Sequence, residues 1–397
     1  MKILQVCPKF HPSVASGSTR VAYCISKELA RRGHSVTVYT SNMKDKYTKT
    51  NSGLEEMDCV KVYRFQSLGT TATREMKIFV TPRIISSLKN ELCSFDVVHI
   101  HEYRSFQSIV AHHYAKKYGV PYVLQAHGSL PRAWAWRRLK WVFDVFFGYW
   151  LLRDAAKVIA LSQVEAEQYR SMGVPEEKIA VIPNGIDLSE YAVLPPRGSF
   201  KRKFDIPDRK KIVLYLGRIH KTKGIDLLVK AYAYLIKEMK CTDALLVIAG
   251  PDDGYLTEVK RLLTSLKIVE SLFTEMLSEK EKISAYVDSR IVVNVEPRNV
   301  FGLVPLEAAA CSTPVVVSKG NAIRETIHEG KFGFSVKYGE VIGLAKIMSI
   351  LLNDDCLAKE MGQKGRKYIF ENYNWTNSIT KLEKVYQEIH SRSRAKM

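Results

Sequence analysis

The 397-residue sequence lacks several features that mark large classes of protein. Its seven cysteines are odd in number, scattered and never spaced as C-x-x-C. That pattern argues against disulfides and zinc ligands and predicts reduced core cysteines in a cytosolic protein. The opening MKILQVCPKF has too short an apolar run before its second lysine to be a secretory signal peptide.

The composition describes a folded protein with an uneven charge. With 46% hydrophobic and 25% charged residues, the length predicts two domains of about 150–200 residues each. Residues 1–157 hold 24 Lys and Arg against 11 Asp and Glu, which is a net +13 of the total +19. This excess indicates an anionic partner, such as nucleic acid, a phosphorylated ligand or a membrane surface. A generally lysine-rich, solvated surface is the alternative explanation of this excess.

Alternating strand and helix patterns run through the chain twice. The first series begins with MKILQVCP, TRVAYCISKELARRGH and SVTVYT, a β-α-β unit, and continues through DVVHIHE, AAKVIALS and KIAVIPNGID. A Pro- and charge-rich linker at 188–211 ends it. The second series runs from KIVLYLGRIHKTKGID to GFSVKYGE, and an amphipathic helix follows the last strand. The pattern predicts two doubly wound α/β domains that face each other, with ligands at the carboxyl ends of their strands.

Three loops carry residues suited to a phosphorylated ligand, because helix N-termini offer free N–H donors to anions. The first contains Gly17 and Ser18 and lacks the G-x-G-x-x-G spacing of a dinucleotide site. The second contains Arg218 and Lys223, whose fork and point charge suit a diphosphate, although exposed loop cations are common. The third, FGLVPLEAAA, places Glu307 near a helix start. A carboxylate there binds sugar hydroxyls or simply interacts with the helix dipole.

The motifs GRIHKTKGID, IPNGID, VFGLVPLEAAACSTPVVVS and HEGKFGFSVKYGE resemble those of the retaining glycosyltransferases of family 4. The similarity covers almost the whole chain and includes DVVHIH and LQAHGS. It implies the GT-B fold, with two facing Rossmann-like domains. The expected N-terminal, acceptor-binding domain spans 1–190 and includes a return helix at about 376–397. The expected nucleotide-sugar-binding domain spans 195–375.

The resemblance also assigns roles to residues of the second domain. Arg218 and Lys223 match the residues that grip the donor diphosphate, and Glu307 matches the one that binds the ribose hydroxyls. Backbone amides of three consecutive residues would cradle the phosphate and the donor sugar: Phe301, Gly302 and Leu303.

In the first domain, His127 of QAHGS matches a residue that lies beside the transferred sugar. The Gly-Gly loop that closes on the diphosphate corresponds to Ser16-Gly17, where one family glycine is missing, and Gly17 and Ser18 are the expected donor contacts of this loop. The implied chemistry is metal-independent transfer with retained anomeric configuration. Arg218 and Lys223 would neutralise the departing diphosphate, so both belong with His127 to the catalytic group.

The family pattern E-x7-E is altered, because its first acid falls at Asn299. An amide still hydrogen-bonds a sugar but carries no charge. Glu296 lies on the strand end and is the other candidate for contact with the donor sugar. Replacement of the first acid therefore predicts a change at the donor sugar rather than loss of nucleotide binding.

Two further histidines, His99 and His101, stand at a strand end and are interpreted as core or acceptor-side residues. Their i, i+2 spacing is compatible with zinc, but no third ligand has suggestive spacing. The acidic pair Asp252 and Asp253 in GPDDG is interpreted as a turn rather than a metal site. No metal and no cofactor is expected besides a UDP-, GDP- or ADP-sugar as substrate.

The segment Arg132 to Lys157 holds four of the five tryptophans with six Lys and Arg against two acids. Its apolar stretch of about a dozen residues is too short to span a bilayer of roughly 30 Å. Trp and Tyr beside Arg and Lys are typical of a helix that lies in lipid headgroups, with a buried domain helix as the alternative. Nucleic acid fits less well, because the aromatics are embedded among apolar residues. The expected membrane contacts are Trp134, Trp136, Arg137, Arg138 and Trp141.

The sequence thus predicts a glycosyltransferase attached peripherally to the cytosolic face of an anionic membrane. It would move a sugar from a nucleotide sugar to a lipid-linked or membrane-proximal glycan. Two other functions remain open at this point. One is a nucleotide-sugar epimerase, which also uses wound domains. The other is a non-catalytic, membrane-associated paralogue that binds nucleotide sugars, motivated by Asn299.

Overall fold

Short runs of Val, Ile and Leu form the strands of two separate parallel sheets, each in its own compact unit. The computed structural model describes residues 1–11, 17–44, 48–68, 79–132, 136–297 and 301–395. Unit 1 consists of Met1–Gly185 with Trp375–Met397, and unit 2 of Ile186–Asn374. The two α/β domains with wound parallel sheets expected from the sequence are confirmed.

Unit 1 is built on an eight-stranded sheet with the order β3-β4-β2-β1-β5-β6-β7-β8. Its pairs are parallel except β3 with β4, which form an antiparallel edge. The strands are β1 (Lys2–Val6), β2 (Ser35–Ser41), β3 (Gly53–Met57), β4 (Val60–Phe65), β5 (Val97–His101), β6 (Tyr122–Gln125), β7 (Lys157–Ala160) and β8 (Ile179–Val181).

Helices cover both faces of this sheet. Successive residues of β1 point to opposite faces, so Ile3 joins one buried cluster and Leu4 the other. A π-helical turn, Asp144–Gly148, joins two short helices of the aromatic segment. The helices are α1 (Gly17–Arg31), α2 (Arg83–Glu91), α3 (Phe106–Tyr118), α4 (Arg137–Phe143), α5 (Tyr149–Asp154) and α6 (Gln163–Ser171).

Unit 2 is built on a six-stranded, all-parallel sheet with the order β11-β10-β9-β12-β13-β14. Buried clusters lie on both faces, as the continuous apolar strands require. The strands are β9 (Lys211–Leu216), β10 (Ala244–Ala249), β11 (Ser271–Thr274), β12 (Ser289–Asn294), β13 (Val315–Ser318) and β14 (Gly333–Val336). The helices are α7 (Ser199–Lys203), α8 (Ile225–Lys237), α9 (Leu256–Ser265), α10 (Glu279–Asp288), α11 (Leu303–Ala310), α12 (Arg324–Gly330), α13 (Val341–Asn353) and α14 (Asp355–Asn372).

The chain returns to unit 1 for its last helix, α15 (Trp375–Arg394). Arg32 at the end of α1 donates to the Glu383 carboxylate at 2.7 Å and to the Thr376 carbonyl at 2.9 Å. Five apolar residues of α15 are buried in the core of unit 1: Ile379, Leu382, Val385, Tyr386 and Ile389.

The structural boundary differs from the expected domain end at 190. Ile186 N–H donates to the Tyr373 carbonyl at 2.9 Å, and Ile186 and Tyr191 are buried in a core cluster of unit 2. Residues 186–190 therefore belong to unit 2, because their hydrogen bonds and apolar contacts lie there.

One glycine fixes the spacing of two strand ends in unit 2. Gly250, which follows β10, has φ +139°, and a Cβ there would lie 2.1 Å from the backbone oxygen of Gly217. Gly217 follows β9 and precedes Arg218, so this close approach sets the position of the Arg218 loop.

We expect Gly250→Ala to lower the free energy of unfolding by at least about 2 kcal/mol, since a backbone oxygen cannot yield to the new methyl group. Gly343→Ala is the matched control. Gly343 lies in helix α13, and a Cβ there would lie 3.3 Å from the flexible Glu340 side chain. Alanine in place of glycine within a helix raises the free energy of unfolding by about 0.5–1 kcal/mol. Thermal denaturation followed by circular dichroism measures both, and an unchanged melting temperature for Gly250→Ala would contradict the argument.

Candidate functional site

In unit 2, the loop after β9 presents two cations that are each paired with an acid. Lys223 lies 2.8 and 2.9 Å from the two carboxylate oxygens of Glu296. Arg218 forms an ion pair with Asp253, and both side chains are partly exposed. The loop ends at Gly224, which is left-handed at φ +71° and begins α8. Two cations are thus held by carboxylates that a diphosphate would have to replace.

Strand pairing explains why these residues meet. β9 pairs with β10 on one side and β12 on the other, so their carboxyl ends lie at one edge. Arg218 follows β9, Asp253 follows β10 and Glu296 follows β12. Glu296 therefore belongs with the loop cations. The other candidate for the donor sugar, Asn299, lies outside the described residues.

Glu307 is buried in α11 and is held on both oxygens by α10. The Tyr286 hydroxyl donates to Oε2 at 2.8 Å, and the Lys282 ammonium lies 3.3 Å from Oε1. Burial, with the Glu307 charge as a further cause, raises the pKa of Tyr286 well above its usual value. Sequence reasoning missed Lys282 and Tyr286. Their i, i+4 spacing placed them on one helix face, but nothing local indicated that Glu307 packs against it.

Helix α11 begins close to these groups. Gly302 is buried and precedes its first turn, which no described side chain caps, so that N–H groups at Leu303 and Val304 have no partner within the helix. The Phe301 ring lies 6.4 Å from the Tyr373 ring, centroid to centroid. Phe301, Gly302 and Leu303, the three residues expected to cradle the phosphate and the sugar, thus lie at the start of α11.

Asp252 has a structural use in unit 2. Its Oδ1 accepts three backbone N–H bonds, from Gly254, Tyr255 and Leu256, at 2.9 to 3.1 Å. Within the described ranges, no group of three or more His, Cys, Asp or Glu side chains is placed to hold a metal ion.

In unit 1, Gly17 and Ser18 open helix α1, and the five residues before them lie outside the described part. Their place at a helix start agrees with the expected anion loop, whose geometry the structure does not describe.

His127 lies in the turn after β6 with φ +51°, a conformation that other contacts must hold in place. Glu165 of α6 does so. Its Oε1 accepts from Gly128 N–H at 2.6 Å and its Oε2 from Leu161 N–H at 2.8 Å. The Tyr169 hydroxyl accepts from Ala126 N–H at 2.9 Å. One buried carboxylate thereby fixes the turn that carries the expected catalytic histidine.

Burial raises the pKa of Glu165 to about 7, against the two N–H donors that favour the charged form. Sequence reasoning missed this residue, because a glutamate in the first turn of a helix is common and normally exposed.

His99 and His101 are completely enclosed, at 0% and 1% exposure. The interpretation that they line the acceptor side is therefore wrong for this structure: neither ring reaches the surface, and both belong to the sheet interior. His101 Nδ1 lies 2.9 Å from His127 Nε2, and the two rings stack at 5.2 Å. Burial, as the largest cause, lowers the pKa of His99 and of His127 to about 3 and that of His101 well below 6.5.

The aromatic segment forms an unusually apolar surface on unit 1. Only Asp144, Gly148, Leu151 and Leu152 of its helices are buried, so the alternative of a fully buried domain helix is wrong. Trp134 lies outside the described residues. The exposed large apolar side chains on these helices and at their N-cap are Trp136, Leu139, Trp141, Val142, Val145, Phe146, Phe147, Tyr149 and Trp150.

Charges surround and anchor this surface. Arg137 and Arg138 are exposed, and the Arg153 guanidinium lies 3.9 Å from the Trp150 ring centroid. Buried Asp144 binds Arg104 at 2.8 Å and Arg132 at 2.7 Å. None of the helices described here is both long and apolar enough to cross a bilayer.

Two family models match this chain, one over most of unit 1 and one over most of unit 2. A family model described as Glycosyltransferase Family 4 matches residues 15–190, and one described as Glycosyl transferases group 1 matches residues 196–368. The N-acetyl-alpha-D-glucosaminyl L-malate synthase of Bacillus anthracis is 23% identical over 96% of this chain and 95% of its own.

Two solved structures share the fold. Sucrose-phosphate synthase from Thermosynechococcus elongatus has a TM-score of 0.81 at 19% identity, over 98% of this chain and 99% of its own. HepE from Anabaena, solved in complex with UDP and glucose, has a TM-score of 0.78 at 18% identity, over 98% and 100%.

The buried Glu165 makes the stability of unit 1 depend on pH. Because its folded pKa of about 7 exceeds the ordinary 4.5, the folded state binds a proton more tightly than the unfolded chain. This stabilisation is complete below pH 4.5 and is lost as the pH rises through 7, by up to roughly 3 kcal/mol.

We expect the unfolding free energy of the native protein to fall between pH 5 and 8 relative to that of Glu165→Gln, which cannot titrate. All five tryptophans lie within the span of unit 1, so denaturant titrations followed by tryptophan fluorescence isolate it. Parallel pH curves for the two proteins would show that Glu165 is ionised in the folded state throughout.

Proposed function

This chain belongs to the glycosyltransferases of family 4, and from that premise we propose a retaining, metal-independent enzyme that transfers a sugar from a nucleotide-sugar donor to a lipid-linked or membrane-proximal glycan. The observation that carries the donor half is the common edge of β9 and β12. There, Arg218 and Lys223 follow β9 and each pairs with an acid, Glu296 follows β12, and the next helix, α11, carries the buried Glu307. UDP is the first nucleotide to test, because HepE holds it.

In the proposed reaction, the diphosphate takes the places of two carboxylates. Arg218 leaves Asp253 and Lys223 leaves Glu296, so that each cation exchanges one anion for another. Both then neutralise the charge that develops on the leaving phosphate as the bond to the sugar breaks. The acceptor's hydroxyl oxygen bonds to the anomeric carbon on the face from which the phosphate leaves, and a phosphate oxygen takes the proton of that hydroxyl. Attack on this same face retains the anomeric configuration.

The remaining groups bind and orient the donor. Glu307, pre-oriented by Lys282 and Tyr286, accepts the ribose hydroxyls, and the start of α11 binds phosphate through N–H groups. Asn299, at the position of the first acid of the E-x7-E pattern, contacts the donor sugar in this proposal, and Glu296 is the alternative contact once Lys223 has left it. From unit 1, Gly17 and Ser18 supply the anion loop and His127 contacts the transferred sugar. An epimerase is set aside by the family membership.

The acceptor half of the proposal rests on the aromatic surface of α4 and α5. Exposed Trp, Phe and Val side chains framed by arginines suit a lipid headgroup layer. The +13 charge of residues 1–157 attracts anionic lipid at the cytosolic face of a membrane. The ion pairs of Asp144, which lies in the π-helical turn between α4 and α5, hold these two helices on unit 1. The helices therefore stay folded while their apolar side chains point outward.

Removing the diphosphate cations tests the donor site. We expect Arg218→Ala and Lys223→Ala each to lower the kcat for UDP-sugar hydrolysis or transfer by about 100-fold, because each neutralises the leaving group. Lys221→Ala, an exposed lysine of the same loop, is the control and should keep its activity. NMR of the product gives its anomeric configuration.

Equal rates in all three variants would contradict the role of the cations, and an inverted product would contradict retention. A wild-type protein that binds UDP-sugars without turnover would instead support the non-catalytic paralogue.

Vesicle flotation tests the membrane surface. We expect the protein to float with anionic vesicles at low salt, and Trp141→Ser with Phe146→Ser to weaken binding by at least about tenfold, since each buried aromatic contributes roughly 2 kcal/mol. Val193→Ser with Val269→Ser, two exposed apolar residues of unit 2, is the control. Absence of flotation for the wild type, or equal loss in the control, would refute the attachment.

A further inference from the structure

A row of polar side chains crosses the face of the unit 1 sheet that α15 covers. Gln5 of β1 pairs in register with His99 of β5, and His101 pairs with Gln125 of β6. All four are almost completely buried on a face otherwise formed by apolar residues. Buried polar groups of this kind require partners, so the hydrogen bonds among them determine how they are arranged.

The partners form a chain from the last helix to the expected catalytic turn. Tyr386 of α15 receives Gln5 Nε2–H at 3.5 Å, and Gln5 Oε1 lies 2.7 Å from His101 Nε2. His101 Nδ1 then lies 2.9 Å from His127 Nε2. We call these four residues, Tyr386, Gln5, His101 and His127, the histidine relay.

The relay has a definite direction. Burial lowers the pKa of both relay histidines, so each neutral ring carries one N–H and one lone pair. Gln5 Oε1 only accepts, which places the proton of His101 on Nε2 and leaves Nδ1 as an acceptor. His127 Nε2 must then be the donor to it. The remaining nitrogen of His127, Nδ1, carries a lone pair.

A branch of the network leads from the same hydroxyl to His99. The Tyr386 hydroxyl lies 2.7 Å from His99 Nδ1, and the His99 and His101 rings stack at 4.1 Å. Among the described residues His99 Nε2 has no hydrogen-bond partner, so this branch ends at His99.

We propose that Tyr386 is a positioning residue that, through Gln5 and His101, fixes the His127 tautomer in which Nδ1 accepts a hydrogen bond from a hydroxyl of the transferred sugar. The inference rests on the proposed function for the role of His127, but the tautomer itself does not depend on it. The relay thereby gives the last helix of the chain a part in the chemistry of a turn more than 250 residues earlier.

The state of His127 is measured directly by NMR of protein labelled with ¹⁵N in its histidine rings, with His127→Asn to assign the signals. We expect the wild type to show a protonated Nε2 and an unprotonated Nδ1 at His127. Tyr386→Phe should populate the other tautomer, while Tyr122→Phe should not. Tyr122 is a matched control, because its buried hydroxyl donates to the Leu151 carbonyl and does not touch the relay.

Kinetics with UDP-glucose provides the second readout. We expect Tyr386→Phe to lower kcat at least about tenfold with little change in KM, and Tyr122→Phe to leave both near the wild-type values. A wild-type His127 protonated on Nδ1, or a tautomer and kcat in Tyr386→Phe that match the control, would overturn the proposal. Should Tyr386→Phe fail to fold, the wild-type spectrum still decides. If UDP-glucose is not turned over, the proposed donor fails while the NMR result on the relay stands.

Discussion

Parallel strand pairing is the constraint from which the arrangement of both units follows. Because parallel strands run in one direction, their carboxyl ends all emerge at the same edge of a sheet. In unit 2 that edge collects Arg218, Asp253 and Glu296 from three neighbouring strands. In unit 1 it collects the end of β5 and the turn after β6 with His127. Strand pairing, rather than the conformation of long loops, thus brings residues that are far apart in sequence close together.

Buried carboxyl groups are the second theme, and each is accommodated differently. Asp144 pairs with two arginines and Glu307 with a lysine and a tyrosine hydroxyl, whereas Glu165 has only two backbone N–H donors, and burial raises its pKa to about 7. Taking a carboxylate out of water is unfavourable without such partners, and removing one partner leaves the acid uncompensated. Glu307 is itself an expected site residue, and Glu165 holds the turn that carries His127.

Much of the fold and half of the site could be predicted from the sequence because their signals are local. Apolar runs give the strands, and the GRIHKTKGID loop places Arg218 and Lys223 directly after one of them. The rest depends on tertiary contacts that leave no local trace. Gln5 and Tyr386 are 381 residues apart, and the burial of Glu165 and His101 arises from helices packed over the sheet. His99 and His101, interpreted from the sequence as core or acceptor-side residues, are in the core because α15 covers their face.

Because the chain returns to unit 1 for its last helix, the two units complete their folding in a different order from that in which they are synthesised. Unit 2 is one continuous segment, whereas the core of unit 1 lacks Ile379, Leu382, Tyr386 and Ile389 until the last stretch has been synthesised. A nascent chain on the ribosome thus carries an unfinished first unit with an open apolar face while the whole second unit emerges and folds. The N-terminal unit, although translated first, is the last to be completed, and a chain cut short before its final helix leaves that unit without its cover.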